Sequence, residues 1–434
     1  MSQAEAILRA LERETESIVL EPGRHGYEDA RKVFNDCIDR RPAAIVRVRD
    51  SRDIAKSVRI LAEGGLSFTV RGGGHGIAGT CVRDGAVMLD LSLTRKVTYD
   101  DDLGIATSEA GALWCDYDAV TTRYGYASTG GIVSHTGVTG LTLGGGLGWL
   151  MGEAGLACDS LVGLTVIDSR AESQYLREGD PELRSFRGSG RSLGVVTELR
   201  FRPRPIGSTV TSGRITVLLS ASAELLTRCS LAIEDSPDWL TVSPLLLWAD
   251  GEWRAVLDFV STRGKEETSK ALKKTFDREP THLQEVPYLV VQRQFDDELR
   301  FGRRNYWKSV AMSSIDMNLG RALADHLQRS PSRQTFISVD VMHGRALNEP
   351  PGGSSYKLRG RPLVVLFNTI WQDMKEDPEN IQWCREGFAL LSSSSRESST
   401  YSNYFSEDDI GVQPGSEAVL SGEEVARWTP DGLM

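Results

Sequence analysis

Glycine is distributed unevenly along this chain, because 17 of its 43 glycines lie between Gly72 and Gly148. Glycine lets the main chain adopt positive φ angles and approach a bulky ligand closely, at an entropic cost that ordinary loops avoid. Most of these glycines fall in two loops, Arg71–Gly76 and Gly137–Trp149. Successive main-chain N–H groups in such loops can bind phosphate oxygens. A large cofactor with a pyrophosphate is therefore the expected ligand of this region.

The first part of the chain has the pattern of an α/β ligand-binding unit. Apolar residues at helical spacing predict helices over Gln3–Arg13 and Tyr27–Ile38, and Pro42–Val46 is typical of a short buried strand. An N-cap signal begins a helix over Ser51–Gly65, and the next predicted strand, Leu66–Val70, runs directly into the first glycine loop. This order of strand, helix, strand and glycine loop favours an α/β arrangement.

Beyond Arg202–Pro205 the chain changes to longer runs, several of which alternate apolar with polar residues. Such alternation is typical of an antiparallel sheet with one covered face. The predicted strands are Thr209–Leu219, Leu245–Val260, Gln334–Val341 and Leu363–Trp371, and the predicted covering helices are Met317–Gln328 and Glu379–Leu391. The expected fold class is α+β, with a cofactor domain over residues 1–205 (core about 38–205) and a second domain over 206–400.

Composition narrows the functional classes. The net charge is −10 and no local basic patch stands out, so nucleic acid is not an expected partner. The six cysteines form no C-x-x-C pair, which favours free thiols in a reducing compartment. The N-terminus lacks a signal-peptide pattern and no stretch is apolar enough to span a membrane, so a cytoplasmic protein is expected. No set of side chains has the spacing of metal ligands.

A Rossmann interpretation of the second loop fits poorly, although the spacing within Gly137–Trp149 superficially includes a dinucleotide fingerprint. That fingerprint belongs at the first strand-to-helix turn, with an acidic residue some 20 positions further on. Here the loop comes far along the chain, and another glycine loop precedes it.

Five ordered motifs resemble those of the vanillyl-alcohol-oxidase-type (PCMH-type) FAD enzymes, in particular the berberine-bridge-enzyme-like oxidases. The resemblance extends from about residue 20 to about residue 405. It implies that residues 206–400 form a substrate domain and that a C-terminal segment, 401–434, returns to the cofactor domain. The motifs are Arg71–His75; Gly137–Trp149 with Gly155–Leu161; Gly188–Gly190 with Leu193–Thr197; Tyr306–Ser309; and Tyr401–Tyr404.

The resemblance implies an FAD cofactor bonded covalently to His75. A neutral imidazole is a competent nucleophile near pH 7. Many relatives form a second bond from a Cys, but Val133 stands at that position here, so a single attachment is predicted, as in the hydroxynicotine-oxidase-like members. The cofactor-binding residues that the resemblance implies are Arg71, Gly72, Gly73, Gly74, His75, Gly76, Ser134, Gly137, Gly140, Leu141, Gly144, Gly146, Gly148, Trp149, Leu156, Asp159, Val195 and Tyr401.

The reaction implied by the resemblance is hydride transfer from a small alcohol, amine or secondary metabolite to flavin N5, with reoxidation by O₂ to hydrogen peroxide. Tyr404 is the candidate base, and Asn403 matches a residue beside the flavin. Lys308 is a candidate for stabilising negative charge in the substrate pocket. A structural Tyr404 and a solvent-facing Lys308 are the alternatives. His135 is a candidate for hydrogen-bonding the flavin or substrate, with a satisfied loop histidine as the alternative, and His343 is a candidate for lining the pocket.

Two other functions remain open at this stage. One is an FAD-dependent dehydrogenase with another electron acceptor, and the other is a flavin-binding protein with reduced activity. The second arises because the sequence after Tyr404 lacks the family's usual ending, and because Arg187–Arg191 is more charged than the family's stretch. Substrate identity and oligomeric state are not predicted.

Overall fold

The computed structural model describes residues 3–168, 170–190, 193–392 and 399–410. The serine run at 393–395, Arg191 and the unusual sequence beyond residue 410 lie outside the described residues. No helix among the described residues is long and apolar enough to cross a membrane.

The N-terminal region forms a four-stranded sheet with helices packed beside it. Its strands run in the order β1-β2-β4-β3, with β2, β4 and β3 parallel and β1 antiparallel to β2. The Asp50 carboxylate accepts hydrogen bonds from the main-chain N–H groups of Arg52 and Asp53 and so begins the third helix, one residue before the predicted cap. The elements are α1 (Gln3–Glu14), β1 (Ile18–Leu20), α2 (Tyr27–Ala30), β2 (Ala44–Arg47), α3 (Ser51–Glu63), β3 (Phe68–Arg71) and β4 (Val87–Asp90).

The helix predicted over Tyr27–Ile38 is wrong beyond its first turn, since α2 ends at Ala30. The main-chain N–H of Phe34 donates to the carbonyl of Gly74, and the Asn35 amide donates to the carbonyl of Ile77. These bonds tie residues 34 and 35 to the first glycine loop. The helical pattern therefore gave way to tertiary contacts that the local sequence does not reveal.

A five-stranded antiparallel sheet follows, in the order β5-β6-β10-β8-β9, together with a short pair formed by β7 and β11. The second glycine loop lies between β7 and β8; it contains the short helix α5 and is followed by the short helix α6. The elements are β5 (Val97–Asp100), β6 (Ile105–Glu109), α4 (Trp114–Thr121), β7 (Tyr126–Ala127), α5 (Val138–Leu143), α6 (Met151–Ala154), β8 (Leu161–Ile167), β9 (Ser173–Arg177), α7 (Leu183–Phe186), β10 (Val195–Phe201) and β11 (Arg204–Pro205).

The second half forms a seven-stranded antiparallel sheet in the order β15-β12-β14-β13-β17-β18-β16. The run predicted as one strand over Leu245–Val260 is a hairpin, which turns at Asp250 and Gly251 with φ of 51° and 83°. The elements are β12 (Val210–Leu218), α8 (Ser222–Leu231), β13 (Leu240–Ala249), β14 (Glu252–Ser261), α9 (Lys265–Phe276), β15 (His282–Val286), α10 (Tyr288–Gln292), β16 (Arg304–Met312), α11 (Met317–Leu327), β17 (Phe336–Val341), β18 (Leu363–Trp371) and α12 (Asp377–Ser392).

The two faces of this sheet have different partners. Side chains such as Ile337 and Phe367 pack into the core formed with α8, α11 and α12. Because successive side chains of a strand point to opposite faces, their neighbours Phe336 and Asn368 face the other way. That other face lines a cavity in front of the glycine loops. The α+β fold is confirmed, and the proposed domain limits stay a prediction.

Candidate cofactor and substrate site

One cavity is enclosed by the two glycine loops, the uncovered face of the seven-stranded sheet and the segment 401–410. The first loop contributes Gly72–Ala78, and the second contributes residues between Gly131 and Leu147. Among the predicted residues, those that line the cavity are Gly72, Gly73, Gly74, His75, Gly76, Gly137, Gly140, Leu141, Val195, Tyr401, Asn403 and Tyr404. The structure thus brings together both ends of the predicted site, which lie more than 300 positions apart in the sequence.

The two loops cross at Gly73 and Gly137. A Cβ placed on Gly73 would lie 2.5 Å from the Gly137 nitrogen, and one on Gly137 would lie 2.6 Å from the Gly73 nitrogen. Either distance is far below van der Waals contact. Gly76 and Gly140 differ, because a Cβ on either would meet no protein atom within 4 Å. Both line the cavity, so their bare backbone is left open toward a ligand.

His75 lies at the edge of this cavity with its ring stacked on Phe34, at a centroid distance of 3.9 Å and an interplanar angle of 16°. The His135 ring is 5.1 Å away. Burial, and secondarily His135, lowers the pKa of His75 to about 3, so the imidazole is neutral at physiological pH. Its Nε2 atom is buried and has no hydrogen-bond partner among the described residues. A neutral imidazole with an unpartnered nitrogen at a ligand cavity is suited to bonding or contacting that ligand.

These features fit an FAD molecule. The crossing loops and the open backbone of Gly76 and Gly140 make a cradle that side chains would fill. His75 supplies an unpartnered nitrogen at its edge. No group of three or more His, Cys, Asp or Glu side chains suited to a metal ion occurs in the part of the chain that the structure describes.

Tyr404 faces an acidic partner that the sequence did not suggest. Its hydroxyl donates to Asp340 Oδ2 at 3.0 Å, and both residues line the cavity. Burial raises the pKa of Asp340 to about 6. Burial, with Asp340 as the next cause, raises the pKa of Tyr404 well above 10. Near neutrality the pair is therefore a phenol hydrogen-bonded to a carboxylate. A single acidic residue within the apolar strand β17 was the available signal for Asp340.

Tyr401 and Asn403 hold the second glycine loop. The Tyr401 oxygen accepts hydrogen bonds from the main-chain N–H groups of Gly146 and Leu147, at 2.9 and 3.2 Å, and from Asn403 Nδ2 at 2.5 Å. Asn403 Nδ2 also lies 3.1 Å from the Leu141 carbonyl oxygen. Burial raises the pKa of Tyr401 to about 12. Both residues line the cavity and also form hydrogen bonds with the second glycine loop beside it.

The structure does not place Lys308 in the substrate pocket, nor does it place this side chain in solvent. Lys308 points to the helix-covered face of the sheet, where its side chain is only 6% exposed. Its Nζ donates to Asp409 at 2.8 Å and lies 3.8 Å from Asp408. The alternation of β16 explains this, because the adjacent Trp307 is the residue that faces the cavity.

Other predicted residues shape the site from behind without lining it. Their side chains or backbones meet protein rather than the cavity. The Ser134 hydroxyl donates to Asp296 at 2.6 Å, and Arg71 packs on Gly74 and donates to the Ala30 carbonyl. Gly148 abuts Gly131, Gly146 abuts Ala157, and the Gly144 carbonyl accepts a hydrogen bond from the Ser402 hydroxyl. Trp149 packs near Phe295, and Asp159 accepts from the Leu156 N–H and forms a buried ion pair with Arg359.

The two further histidine candidates also lie off the cavity lining. Both ring nitrogens of His135 are buried without a hydrogen-bond partner among the described residues, and its ring neighbours His75 and Phe301. His343 Nε2 lies 3.2 Å from the Thr241 hydroxyl, and burial lowers the pKa of His343 to about 4. His343 therefore packs against Thr241 of β13 and Gly152 of α6 and does not line the cavity.

The chain matches the FAD binding domain family over residues 42–175. It is 25% identical over 386 residues to an FAD-linked oxidoreductase of Dictyostelium discoideum, covering 85% of this chain and 82% of the relative. It is 32% identical over 224 residues to (R)-6-hydroxynicotine oxidase of Paenarthrobacter nicotinovorans, covering 51% of this chain and 49% of the relative. The structure resembles xylooligosaccharide oxidase from Myceliophthora thermophila, with a TM-score of 0.82, 20% identity and coverage of 93% of this chain and 91% of that one.

Fold, cavity and comparisons together define an FAD-dependent oxidoreductase. The matched region, residues 42–175, contains β2, β3 with the first glycine loop that follows it, and the whole second glycine loop. The chain is similar in sequence to (R)-6-hydroxynicotine oxidase, and its fold is shared with a berberine-bridge-enzyme-like protein of Physcomitrella patens.

Proposed function

We propose that this protein oxidises a small alcohol or amine by hydride transfer to FAD, with Tyr404 and Asp340 together removing the proton. The observation that carries the proposal is the 3.0 Å hydrogen bond between the Tyr404 hydroxyl and Asp340 inside the cavity. When bound, FAD supplies the acceptor for the hydride. The protein's task is then to place the donor and to receive a proton from its hydroxyl or amine.

The pair is suited to act as a relay. With its pKa well above 10, Tyr404 is a phenol at neutral pH and cannot serve as a preformed base. It can accept the substrate's proton on its oxygen while its own proton passes to Asp340 Oδ2. Asp340, with a pKa of about 6, is a carboxylate above that pH and can hold the proton. Activity therefore requires Asp340 to be ionised before the reaction begins.

We further propose a single covalent bond between the flavin and His75. Support comes from the neutral imidazole with its buried, unpartnered Nε2 at the cavity edge. Val133 lines the same cavity at the position where a second bond would form, and its side chain carries no nucleophile. The test is acid precipitation of purified protein: the yellow pellet should stay coloured for the wild type and become colourless for His75→Ala. A colourless wild-type pellet would contradict covalent attachment.

Oxygen is the proposed electron acceptor, because several relatives are named oxidases. The compounds that these names contain, (R)-6-hydroxynicotine and xylobiose, are the first donors to test. Anaerobic mixing should bleach the flavin absorbance, and admitting air should restore it with release of hydrogen peroxide. Restoration only by an added artificial acceptor would instead identify a dehydrogenase.

The proton relay has its own test. Tyr404→Phe and Asp340→Asn should each slow anaerobic flavin reduction about 10²- to 10⁴-fold, the usual contribution of a positioned acid or base. Both variants should keep the flavin, since neither residue belongs to the glycine loops. Unchanged reduction rates in both variants would reject the relay.

A further inference from the structure

Residues 405–410, which we call the acidic strap, form one wall of the cofactor cavity. Phe405 and Ile410 line the cavity, and between them residues 407–409 form a single 3₁₀ turn. The main-chain N–H and the hydroxyl of Ser406 donate to Asp409 Oδ2 at 2.9 and 2.8 Å and so cap this turn. The strap therefore turns two apolar side chains toward the cavity, whereas its three consecutive carboxylates do not line it.

Each of the three carboxylates is bound by a cation from another part of the chain. The three cations lie in the loop before β2, in α12 and in β16, so the strap connects the two halves of the molecule. Without them, three like charges within one turn would repel one another. The pairs are Glu407 with Arg40, Asp408 with Arg385 through two nitrogens at 2.9 Å each, and Asp409 with Lys308 at 2.8 Å.

The strap is attached to its surroundings through side chains. Within the part of the chain that the structure describes, no main-chain hydrogen bond joins residues 405–410 to another element. The other walls of the cavity are different. The sheet wall is held by continuous main-chain ladders between its strands, and the two glycine loops meet backbone to backbone at Gly73 and Gly137. The strap is therefore the wall that can open as a unit by breaking side-chain contacts alone.

The three ion pairs differ in their exposure to solvent. The side chains of Glu407, Asp408 and Asp409 are 57%, 34% and 7% exposed. The hydrogen bonds from Arg385 hold the pKa of Asp408 below its usual value, so this carboxylate is charged at neutral pH. Dissolved salt screens exposed pairs strongly and buried pairs much less. The pairs of Glu407 and Asp408 are thus the salt-sensitive attachments of the strap, and the buried pair of Asp409 with Lys308 is the insensitive one.

A cofactor held in an enclosed cavity enters and leaves through a wall that moves. We propose that the acidic strap is that wall: it opens when its two exposed ion pairs break, and it closes over the flavin when they form again. The ionic strength of the surroundings thereby controls how fast the flavin is exchanged. This proposal concerns the retention of the cofactor and uses neither the proton relay nor the covalent bond proposed above.

Release of FAD from the holoprotein of the His75→Ala variant tests the proposal, whether or not the wild type forms a covalent bond. The rate is measured from the fluorescence of free FAD after dilution below the dissociation constant. Glu407→Gln and Arg385→Gln, each introduced into this parent, should speed release about two- to fivefold, and both together about tenfold. Arg385→Lys keeps the charge and should stay within about twofold of the parent.

A matched control separates opening of the strap from a general effect of losing an ion pair. Arg202 forms a two-nitrogen pair with Glu178 that is about as exposed as the pair of Arg385 with Asp408, but it lies outside the strap. Arg202→Gln should leave the release rate at that of the parent. Unchanged release in both strap variants, equal acceleration in Arg202→Gln, or acceleration that appears only with a lowered urea midpoint would refute the proposal.

Salt gives a second test that needs no change of fold. Raising sodium chloride from about 0.1 to 1 M shortens the screening length from about 10 to 3 Å. Release from the parent should then become several-fold faster, whereas the double variant Glu407→Gln with Arg385→Gln should respond much less, because its salt-sensitive pairs are already gone. A salt response in the double variant as large as that of the parent, or none in the parent, would overturn the assignment to the strap.

Discussion

Replacing Lys308 with Met should destabilise the protein by breaking a buried ion pair. The side chains of Lys308 and Asp409 are 6% and 7% exposed, and Nζ lies 2.8 Å from Oδ1. Met has a similar length and keeps the packing, but it leaves the carboxylate without a cation. Removing one partner of a buried pair costs about 3–5 kcal/mol, because the remaining charge stays buried.

The structure favours the lower end of that range. Asp409 retains two hydrogen bonds from Ser406, at 2.9 Å from the main-chain nitrogen and 2.8 Å from the hydroxyl. These bonds continue to stabilise part of the carboxylate's charge. We therefore expect Lys308→Met to lower the free energy of unfolding by about 3 kcal/mol. Segment 401–410 carries Tyr401 and Tyr404, so its release should also loosen the cavity wall.

The assay is urea unfolding of the holoenzyme, followed by tryptophan fluorescence. The double variant Lys308→Met with Asp409→Asn removes both charges and keeps an oxygen for Ser406. It should recover at least about 1 kcal/mol of the loss, since a neutral pair leaves no buried charge. Lys270→Met, which breaks an exposed pair with Glu266, should leave the urea midpoint essentially unchanged. A double variant no more stable than Lys308→Met would refute the reasoning.

Further predictions concern the relay and the cradle. The wild-type rate of flavin reduction should rise with pH through about 6, as Asp340 with its raised pKa loses its proton, and this limb should vanish in Asp340→Asn; a limb that persists would exclude Asp340 as its source. Gly137→Ala should destabilise even the flavin-free protein, because its Cβ would lie 2.6 Å from the Gly73 nitrogen, and a wild-type melting temperature would contradict the crossing. Gly140→Ala, inside α5 and with open space around it, should stabilise the flavin-free protein by about 0.5–1 kcal/mol yet reduce flavin uptake; undiminished uptake would show that the ligand does not approach there.

Local sequence patterns were sufficient for much of the scaffold. The strands over 363–371 and 336–341, and the helices α1, α11 and α12, were predicted within about two residues. Their hydrophobic patterns extend over many residues, and their ends carry turn or capping signals. Tyr27–Ile38 failed because Phe34 and Asn35 bond to the first glycine loop instead of continuing a helix.

Local sequence patterns predicted only part of the site. Glycine clusters identify places where backbone must approach backbone or ligand, and this is a local property of residue type. Sequence alone does not show that Gly73 and Gly137 meet each other, or that Trp149 and Asp159 support the site from behind.

The sequence by itself determined the class of cofactor and the two glycine loops that line its cavity. Only the tertiary structure decided which side chains meet in the cavity. Asp340 meets Tyr404 across 64 positions, and Lys308 turns to Asp409 across 101. Such encounters depend on strand register and on which sheet face is covered, and neither is encoded in the residues immediately around them.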